Sequence, residues 1–461
     1  MESTSTTRRR GRPRKLVSKH EQRLMTSILS GKVTIGVVGL GYVGLPIALE
    51  FAKQGFDVIG VDVSEEKIKS LQGGKNYIQD LSAEDIRTVV KKTKKLTATT
   101  SIKALRACDV IYICVPTPFT PNKDPDISHI VNATEGIAAT LHAGQLIILK
   151  STTFPGTTEK YVQPILDATK LTVGRDYFLA FSPERIDPGN TTWTTKNTPV
   201  VVGGVTKACT DLAVAINKHI ITEVVAVSSP AVAEMEKLLE NIFRSVNIAL
   251  VNELAQLCDR IGVNIWEVVE AASTKPFGFM PFYPGPGIGG HCILIDPYYL
   301  AWMAREKDFV TNFITLAAEV NESMPFYVRS MIEREVAKQP VTLEKAKILL
   351  LGMAFKRDVD DLRHSPALKV AELLIEDGMQ NISYFDPYVP TVRVHDAVWE
   401  SRKSLTPAFL AKQDVVVITT DHTSFDIDMI VRHSKVVIDT RNATKHIKGA
   451  RKNIVLLGDG K

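Results

Sequence analysis

Short apolar runs alternate with amphipathic stretches through most of the chain. The runs at about 33–38, 57–62, 97–100, 110–115, 146–149 and 177–181 have the length of buried strands, with helical spacing between them. A second alternation begins near residue 345, with apolar runs at 348–351, 382–385, 415–419 and 436–438 and a helical stretch at 367–376. Strands that alternate with helices are typical of parallel βαβ units. The pattern therefore predicts two doubly wound α/β domains.

The stretch between about 227 and 272 has no strand signal. Apolar residues recur there every three or four positions, which predicts a long helix with a wide apolar stripe, buried between domains or subunits. The stripe comprises Met235, Leu238, Leu239, Ile242, Val246, Ala249, Leu250, Leu254, Leu257 and Ile261. A loop rich in proline, glycine and aromatic residues follows at 276–292, and helical spacing resumes after Asp296.

These patterns divide the chain into four parts. We predict a basic tail at 1–30, an α/β domain at 31–226, a helical domain at 227–335 that carries the glycine-rich loop, and a second α/β domain at 336–461. A central helical segment with a long helix thus joins the two α/β domains.

Positive charge is concentrated in the tail. The first 30 residues carry eight lysines or arginines against two glutamates, whereas the formal charge of the whole chain is +5. The remainder is therefore close to neutral and has no overall bias toward nucleic acid or an anionic membrane. Because the tail begins with too little apolar surface to offset chain entropy, we expect it to be disordered, with a weak helical pattern at its end.

The cysteines indicate the cellular setting. The five residues Cys108, Cys114, Cys209, Cys258 and Cys292 follow neither a zinc-binding nor a disulfide spacing. No apolar run reaches the ~18 residues of a membrane span, and no signal-peptide core follows the basic N-terminus. These features predict a cytoplasmic protein with no metal site and no membrane partner.

A glycine motif follows the first predicted strand and opens a helix: Gly39-Leu40-Gly41-Tyr42-Val43-Gly44. Glycines at this spacing allow a tight turn, close approach of a pyrophosphate and close packing of helix on sheet. Asp62 ends the next strand about 20 residues on, where a carboxylate binds ribose hydroxyls and repels a 2′-phosphate. The motif predicts that the first domain is Rossmann-like and binds NAD. An ordinary strand-to-helix turn explains neither the three glycines nor Asp62.

The loop that ends at Cys292 concentrates glycines beside one cysteine. Four glycines in the segment 285–290 leave Cys292 little steric cover. A thiolate at this position could attack an aldehyde if a cation or backbone dipoles lowered its pKa. The alternative is a buried structural cysteine, which is the common role of this residue type and the one we expect for the other four.

From about residue 32 to 455 the chain resembles the UDP-glucose/GDP-mannose dehydrogenase family. The matching segments are 39–44, 115–118, 150–152, 182–185, 236–241, 289–292 with Asp296, 352–356, 361–363 and 365–366. The segments 182–189 and 279–283 resemble the branch that acts on UDP-N-acetylhexosamines, especially UDP-N-acetylglucosamine. Leu294, where that branch commonly has proline, and the N-terminal extension depart from the pattern.

The resemblance implies a four-electron oxidation of a sugar C6 alcohol to a carboxylate with two NAD. Cys292 would hold the intermediate first as a thiohemiacetal and then as a thioester. Lys237 and Asn241, one helical turn apart, would contact the C6 oxygen. Asp296 would position water or transfer a proton, and Thr152 and Glu184 would order that water or contact the substrate.

Binding residues are implied in the same way. Thr117 would contact NAD, and four cations, Arg185, Lys356, Arg363 and Arg441, would contact the UDP-sugar or another domain. The family further implies a homodimer or a higher homo-oligomer.

Several of these residues also fit purely structural roles. Lys237 also fits an exposed helical lysine, and Asp296, before a proline, also fits a helix N-cap. The segment Arg8–Lys15 resembles an AT-hook, which places arginine in the narrow minor groove of A·T-rich DNA. We favour the alternative of a solvated tail that binds anions nonspecifically. A nucleic-acid-binding protein without turnover would not need Cys292, Lys237, Asn241 and Asp296 together.

Overall fold

The computed structural model describes residues 18–78, 81–120, 123–185, 192–290, 292–447 and 452–461, and the backbone but not the side chain of Cys292. The segment Arg8–Lys15 lies outside the described residues, as does His291. The prediction of two α/β domains joined by a helical segment is confirmed.

The described part of the first domain contains an eight-stranded sheet. Its strands are β1 (Thr34–Val38), β2 (Asp57–Val61), β3 (Leu96–Thr99), β4 (Val110–Ile113), β5 (Leu146–Leu149), β6 (Phe178–Phe181), β7 (Val200–Gly204) and β8 (Val224–Val227). They lie in the order β3-β2-β1-β4-β5-β6-β7-β8. The central strands β4, β5 and β6 are buried throughout, because helices cover both faces of the sheet.

Strand β7 runs antiparallel to β6, whereas the other neighbouring strands are parallel. The sequence pattern predicted a wholly parallel sheet, and this prediction is wrong at the β7–β8 end. The pattern did not predict strands β7 and β8. Parallel strands need a long crossover, usually a helix. The described residues between β6 and β7 contain no helix, and the chain returns in the opposite direction.

The helices of this domain are α1 (Lys19–Leu29), α2 (Gly44–Lys53), α3 (Glu65–Gln72), α4 (Ala83–Arg87), α5 (Ser128–Ala138), α6 (Gln163–Asp167) and α7 (Lys207–Asn217). The same domain also contains short π-helical turns at Thr88–Lys92 and Thr158–Val162 and a 3₁₀ helix at Ile102–Ala107.

Helix α1 corrects the prediction that the tail is disordered through residue 30. Leu24 and Ile28, four residues apart, are both buried and belong to the core beneath α7. The Ser18 hydroxyl accepts a hydrogen bond from Glu21 N and donates one to Arg175 O. The weak helical pattern noted at the end of the tail corresponds to this helix.

The central segment is built from α8 (Pro230–Ile261), α9 (Ile265–Ser273), α10 (Cys292–Arg305) and α11 (Asn312–Ala337). Helix α8 ends at Gly262, whose φ of +74° is left-handed, and Asn264 caps α9. Helix α10 begins at Cys292 rather than after Asp296, so Asp296 lies inside the helix and is not its N-cap. Pro297, the proline after Asp296, lies in the second turn of this helix. Among the described residues, no helix combines the length and the apolar character needed to cross a membrane.

The predicted apolar stripe of α8 divides into two faces. Leu238, Ile242 and Ala249 are buried, and α10 and α11 pack on this helix. Met235, Leu239, Leu250, Leu254, Leu257 and Ile261 instead remain exposed in the single chain. The expectation that the whole stripe is covered therefore holds for only one face within the chain.

The second α/β domain has five strands within its described residues, in the order β10-β9-β13-β14-β15. These are β9 (Lys347–Leu351), β10 (Asn381–Phe385), β13 (Val415–Ile418), β14 (Val437–Asp439) and β15 (Ile454–Leu456), all parallel. Helices α12 (Pro366–Glu376), α13 (Pro407–Leu410) and α14 (Ile427–His433) and a 3₁₀ turn at Leu343–Lys345 accompany them. A hairpin that was not predicted, β11 (Thr391–Val394) with β12 (Ala397–Glu400), follows β10.

The last residues of the chain pack on the break between α8 and α9. Trp266 Nε1 donates a 2.7 Å hydrogen bond to Leu457 O, and Ile265 N donates one to Gly458 O. Gly460 approaches so closely that an added Cβ would lie 2.3 Å from Val263 N. The C-terminal residues thus form part of the central helical core.

Candidate active site

The carboxyl ends of the strands in the first sheet bring distant segments to one edge. Val38 pairs with Val61 and Ile113, and Leu149 pairs with Ile113 and Phe181. The segments that follow these strands therefore lie side by side, and ligands of open α/β sheets bind at this edge. They are the glycine turn at 39–44, Asp62, and the described parts of the loops after β4, β5 and β6, at 114–120, 150–157 and 182–185.

The glycine turn has the geometry of a dinucleotide site. Gly39 has a φ of +90°, and an added Cβ at Gly44 would lie 1.8 Å from Gly39 O, so no side chain fits at either position. An added Cβ at Gly41 meets no atom within 4 Å, which leaves open space beside the turn. Tyr42 is exposed, and Val43 is the N-cap of α2, whose first N–H groups face this turn.

Asp62 is fixed at the end of β2. One carboxylate oxygen accepts from Leu40 N at 2.8 Å and the other from Ser64 N at 2.9 Å. Lys67 Nζ lies 3.5 Å away, so the negative charge is partly compensated on one side. The carboxylate and the open space at Gly41 fit the ribose and the pyrophosphate of NAD. Thr117 lies in the loop after β4, is buried, and its carbonyl accepts a hydrogen bond from Tyr299 of α10.

Helices α8 and α10 bring three predicted catalytic residues together. Lys237, Asn241 and Asp296 are 8 %, 4 % and 1 % exposed. Asn241 Nδ2 donates a 2.5 Å hydrogen bond to Asp296 Oδ2. Burial raises the pKa of Asp296 to about 7, although the charge of Lys237 and the hydrogen bond from Asn241 oppose this shift. The interpretation of Lys237 as an exposed lysine is wrong, because its ammonium group belongs to this buried cluster.

The loops after β5 and β6 face the same part of α8. Thr152 is half-buried in the β5 loop, and Lys150 beside it is only 2 % exposed. Lys150 Nζ lies 3.4 Å from Glu184 Oε2, so an ion pair joins the two loops. Sequence reasoning missed Lys150, although a lysine directly after a four-residue apolar strand was a signal of burial.

Arg185 contacts protein rather than open solvent. Its guanidinium forms ion pairs with Glu236 and, at 2.7 Å, with Glu240, and it also donates to Pro199 O. Burial and repulsion from Glu240 raise the pKa of Glu236 to about 7, against the effect of Arg185. The two glutamates each precede a residue of the buried cluster, Lys237 and Asn241. Arg185 therefore holds the β6 loop against the turn of α8 that carries Lys237 and Asn241.

Glu234 is a second residue that the sequence did not single out. It is fully buried at the start of α8 and accepts hydrogen bonds from Gly156 N, Thr158 N and the Thr158 hydroxyl. Desolvation raises its pKa despite these donors. Glu234 thus connects the loop after β5 to the helix that carries Lys237.

The glycine-rich loop is tightly enclosed. An added Cβ would lie 2.7 Å from Arg441 Nη1 at Gly285 and 2.4 Å from Phe355 Cβ at Gly289. Gly290 N donates a 2.8 Å hydrogen bond to Arg363 O. Cys292 is the first residue of α10, one turn before Asp296. The glycines therefore serve close packing, and the loop places Cys292 at the start of the helix that carries Asp296.

The second α/β domain presents cations to this loop. Arg441 is half-buried, and burial together with the nearby charge of Arg357 lowers its pKa to about 10. Lys356 follows β9 in the same segment as Arg357, which pairs with Asp421. Arg363 pairs with Asp361, and its guanidinium lies 5.4 Å from the ring centre of Tyr42 in the glycine turn. Arg363 was predicted to contact the UDP-sugar or another domain, and in the structure its guanidinium lies beside the predicted cofactor turn.

Three family models match consecutive parts of the chain. The NAD binding domain of the UDP-glucose/GDP-mannose dehydrogenase family matches residues 33–221, its central domain matches 231–323, and its UDP binding domain matches 349–446. The chain belongs to this family. It is therefore an oxidoreductase that uses NAD, as the glycine turn and Asp62 predict, and it carries a UDP-binding domain.

Individual relatives agree over nearly the whole length. The UDP-N-acetyl-D-mannosamine dehydrogenase of Pyrococcus horikoshii is 37 % identical over 417 residues, which cover 89 % of this chain and 96 % of that protein. Its solved structure superposes with a TM-score of 0.84 over 93 % of this chain and 99 % of that one. The UDP-N-acetyl-D-glucosamine 6-dehydrogenase of Pseudomonas aeruginosa is 35 % identical, covering 87 % of this chain and 90 % of that protein.

The Gly41→Ala variant tests the cofactor turn of this dehydrogenase. Because the added methyl meets no protein atom, we expect the unfolding free energy to change by less than ~1 kcal/mol. The methyl would occupy the space of the pyrophosphate, so NAD affinity should fall by about tenfold or more. Fluorescence titration with NAD and thermal unfolding measure the two effects. Gly44→Ala, which has no room, should lose stability as well. Unchanged NAD affinity in Gly41→Ala would place the cofactor elsewhere.

The raised pKa of Asp296 predicts a pH dependence of stability. Between about pH 4 and pH 7 the folded protein keeps a proton on Asp296 that the unfolded chain has released. The free energy of unfolding therefore falls as the pH rises through this window, by up to ~1.4 kcal/mol per pH unit from this group. Urea unfolding at pH 5, 6 and 7 should show that Asp296→Asn loses this contribution, whereas the exposed Asp308→Asn retains it. Equal slopes in all three proteins would contradict the assignment.

Proposed function

We propose that this dehydrogenase oxidises the C6 alcohol of a UDP-N-acetylhexosamine to the carboxylate, with Cys292 as nucleophile. The observation that carries the proposal is the buried cluster of Lys237, Asn241 and Asp296, with Cys292 one helical turn before Asp296. A cation, an amide donor and a carboxyl with a pKa of about 7 are the groups that acid–base chemistry on an alcohol needs. A two-electron alcohol dehydrogenase has no use for a cysteine beside them.

The reaction balances with the groups present. The alcohol and water give the carboxylate, and four electrons leave in two steps, for each of which NAD supplies the hydride acceptor. Between the steps the Cys292 thiolate adds to the aldehyde as a thiohemiacetal, and oxidation of this adduct gives a thioester. Water then cleaves the thioester and releases the thiolate.

The residues of the buried cluster have separate roles in stabilising charge and in transferring protons. Lys237 and Asn241 stabilise the oxyanion that develops at C6. Asp296 accepts and returns protons near neutral pH, where its pKa of about 7 makes both forms available. Thr152 and the Glu184 carboxylate, held by Lys150, order the hydrolytic water or contact the sugar. Lys356 and Arg441 compensate the charge of the diphosphate.

The sugar is the finer part of the proposal. The segments 182–189 and 279–283 favour UDP-N-acetylglucosamine, and a relative with that activity in its name is 35 % identical. UDP-N-acetylmannosamine is the second candidate, because several relatives that are 34–37 % identical carry its name. Either product would suit the synthesis of a surface polysaccharide. The free, buried cysteines 108, 114, 209 and 258 support a reducing compartment such as the cytoplasm.

The decisive measurement is the amount of NADH formed per sugar nucleotide consumed. The panel comprises UDP-glucose, UDP-N-acetylglucosamine, UDP-N-acetylgalactosamine, UDP-N-acetylmannosamine and GDP-mannose. We expect the wild type to form about two NADH per UDP-N-acetylglucosamine consumed. The Cys292→Ala variant should not reach this ratio, because the second oxidation needs the covalent adduct. Cys258→Ala, which removes another unpaired thiol, should retain it.

The outcomes separate substrate from mechanism. Two NADH with a different sugar would keep the mechanism and replace the substrate. Two NADH from Cys292→Ala would remove the cysteine from the chemistry. No NADH with any sugar, from folded protein that binds NAD, would contradict the enzymatic proposal under those conditions.

We further propose that the exposed face of α8 joins two copies of the chain. Helix α8 has 32 residues and is about 48 Å long. Its exposed apolar residues, Met235, Leu239, Phe243, Leu250, Leu254, Leu257 and Ile261, are 36–59 % accessible. A contiguous apolar face of this length is typical of a subunit interface. A second copy is the proposed occupant, because a two-fold axis would pair this face with itself.

The double variant Leu250→Glu with Leu257→Glu tests this interface. Charges at the centre of the face should convert the dimer or higher oligomer to a monomer, measured by light scattering after size-exclusion chromatography. Val398→Glu provides the control, since Val398 is 63 % exposed on the β11–β12 hairpin. A monomeric wild type, or an unchanged mass of the double variant, would contradict the proposal.

A further inference from the structure

Residues 361–365, here called the junction turn, contact three separate parts of the molecule. The turn belongs to the UDP-binding domain and lies between β9 and α12. It contacts the glycine-rich loop before Cys292, the glycine turn of the NAD domain, and the loop after β4 that carries Thr117. A single short segment thus bridges the parts of the chain that hold the cofactor, the nucleotide and the nucleophile.

The contact with the glycine-rich loop leaves no free space. Gly290 N donates a 2.8 Å hydrogen bond to Arg363 O. An added Cβ at Gly289 would lie 3.0 Å from His364 O and 3.0 Å from Pro366 Cδ. The loop therefore cannot shift at this point unless the junction turn moves with it.

The contacts with the NAD domain use side chains. The Arg363 guanidinium lies over the ring of Tyr42, 5.4 Å from its centre. The His364 ring stacks on Phe119 at 5.5 Å with an angle of 25° between the planes. Phe119 is two residues after Thr117, in the loop expected to contact NAD. Both contacts lie at the surface and depend on how closely the two domains approach.

The junction turn itself is stiff. Asp361 accepts hydrogen bonds from the backbone N–H and from the guanidinium of Arg363, at 2.6–3.1 Å. Ser365 caps α12, and His364 has a left-handed φ of +51°. The turn therefore moves as a unit with the UDP-binding domain, and its contacts report the position of that domain relative to the cofactor turn.

We propose that His364 and Arg363 are positioning residues that couple the two ligand sites, so that NAD and UDP strengthen each other's binding. A ligand that holds the domains in the arrangement seen here also holds the contacts of the junction turn, so the second ligand meets a site that is already assembled. Such coupling is reciprocal: each ligand raises the affinity of the other by the same factor. The effect on the backbone before Cys292 rests on the proposed function, but the coupling of the ligands does not.

The test is the affinity of the full-length protein for NAD, measured by calorimetry with and without saturating UDP. We expect UDP to raise the NAD affinity of the wild type by about fivefold or more. In His364→Asn the ratio should fall below about twofold, while the affinity for each ligand alone stays near that of the wild type. Asparagine tolerates the left-handed backbone, so the variant removes the ring without changing the turn.

His395→Asn is a matched control. His395 also has a left-handed φ, of +49°, but it is exposed in the turn between β11 and β12. It should retain the full ratio. Phe119→Leu removes the other half of the stack and should lower the ratio as His364→Asn does. The double variant should then add nothing further, which a general loss of structure would not reproduce.

Two results would overturn the proposal: a wild type in which UDP leaves the NAD affinity unchanged, or a folded His364→Asn variant that keeps the full ratio. Neither measurement uses turnover or a sugar. A wrong substrate assignment would therefore leave this result intact, and a failure of the coupling would leave the NADH stoichiometry intact.

Discussion

A carboxyl group that is almost completely shielded from water is the constraint on which the candidate active site depends. Asp296 has no solvent to stabilise its charge, so Asn241 and Lys237 must lie beside it. This requirement fixes the rotation of α10 against α8, since both helices carry members of the cluster. Helix α10 begins one turn before Asp296, so the backbone of Cys292 lies at the start of the same helix. The surrounding loops then fasten to α8 through Arg185 and Glu234.

The first α/β domain, the central helices and the second α/β domain each position different residues of the candidate site. In the first sheet the carboxyl ends of neighbouring parallel strands lie side by side, so the cofactor turn lies close to Asp62. The central helices supply a rigid frame for groups that must hold a proton or a charge. The second α/β domain supplies cations and the residues that enclose the glycine-rich loop. Residues of the central helices and of the second α/β domain both lie close to this loop, so its glycines are held in place although they have no side chains.

Features of the sequence that are local in the chain were predictable. Short apolar runs predicted most strands, and the 3.6-residue spacing predicted α8. The spacing of Gly39, Gly41 and Gly44 to Asp62 predicted the cofactor. Contacts between distant positions were not predictable in this way. Arg185 meets Glu236 across 51 positions, and Lys150 meets Glu184 in another loop. No periodicity encodes such pairs, and the same limit explains the missed direction of β7.

The close packing of the last residues on Trp266 and Val263 has a consequence for the order of folding. Trp266 and Leu457 are 191 positions apart, so α9 cannot reach its final environment until the segment around Leu457 has been synthesised. The first sheet, in contrast, contains its own core and can form while synthesis continues. The side of α9 that carries Trp266 therefore stays uncovered until residues 457–460 have been synthesised.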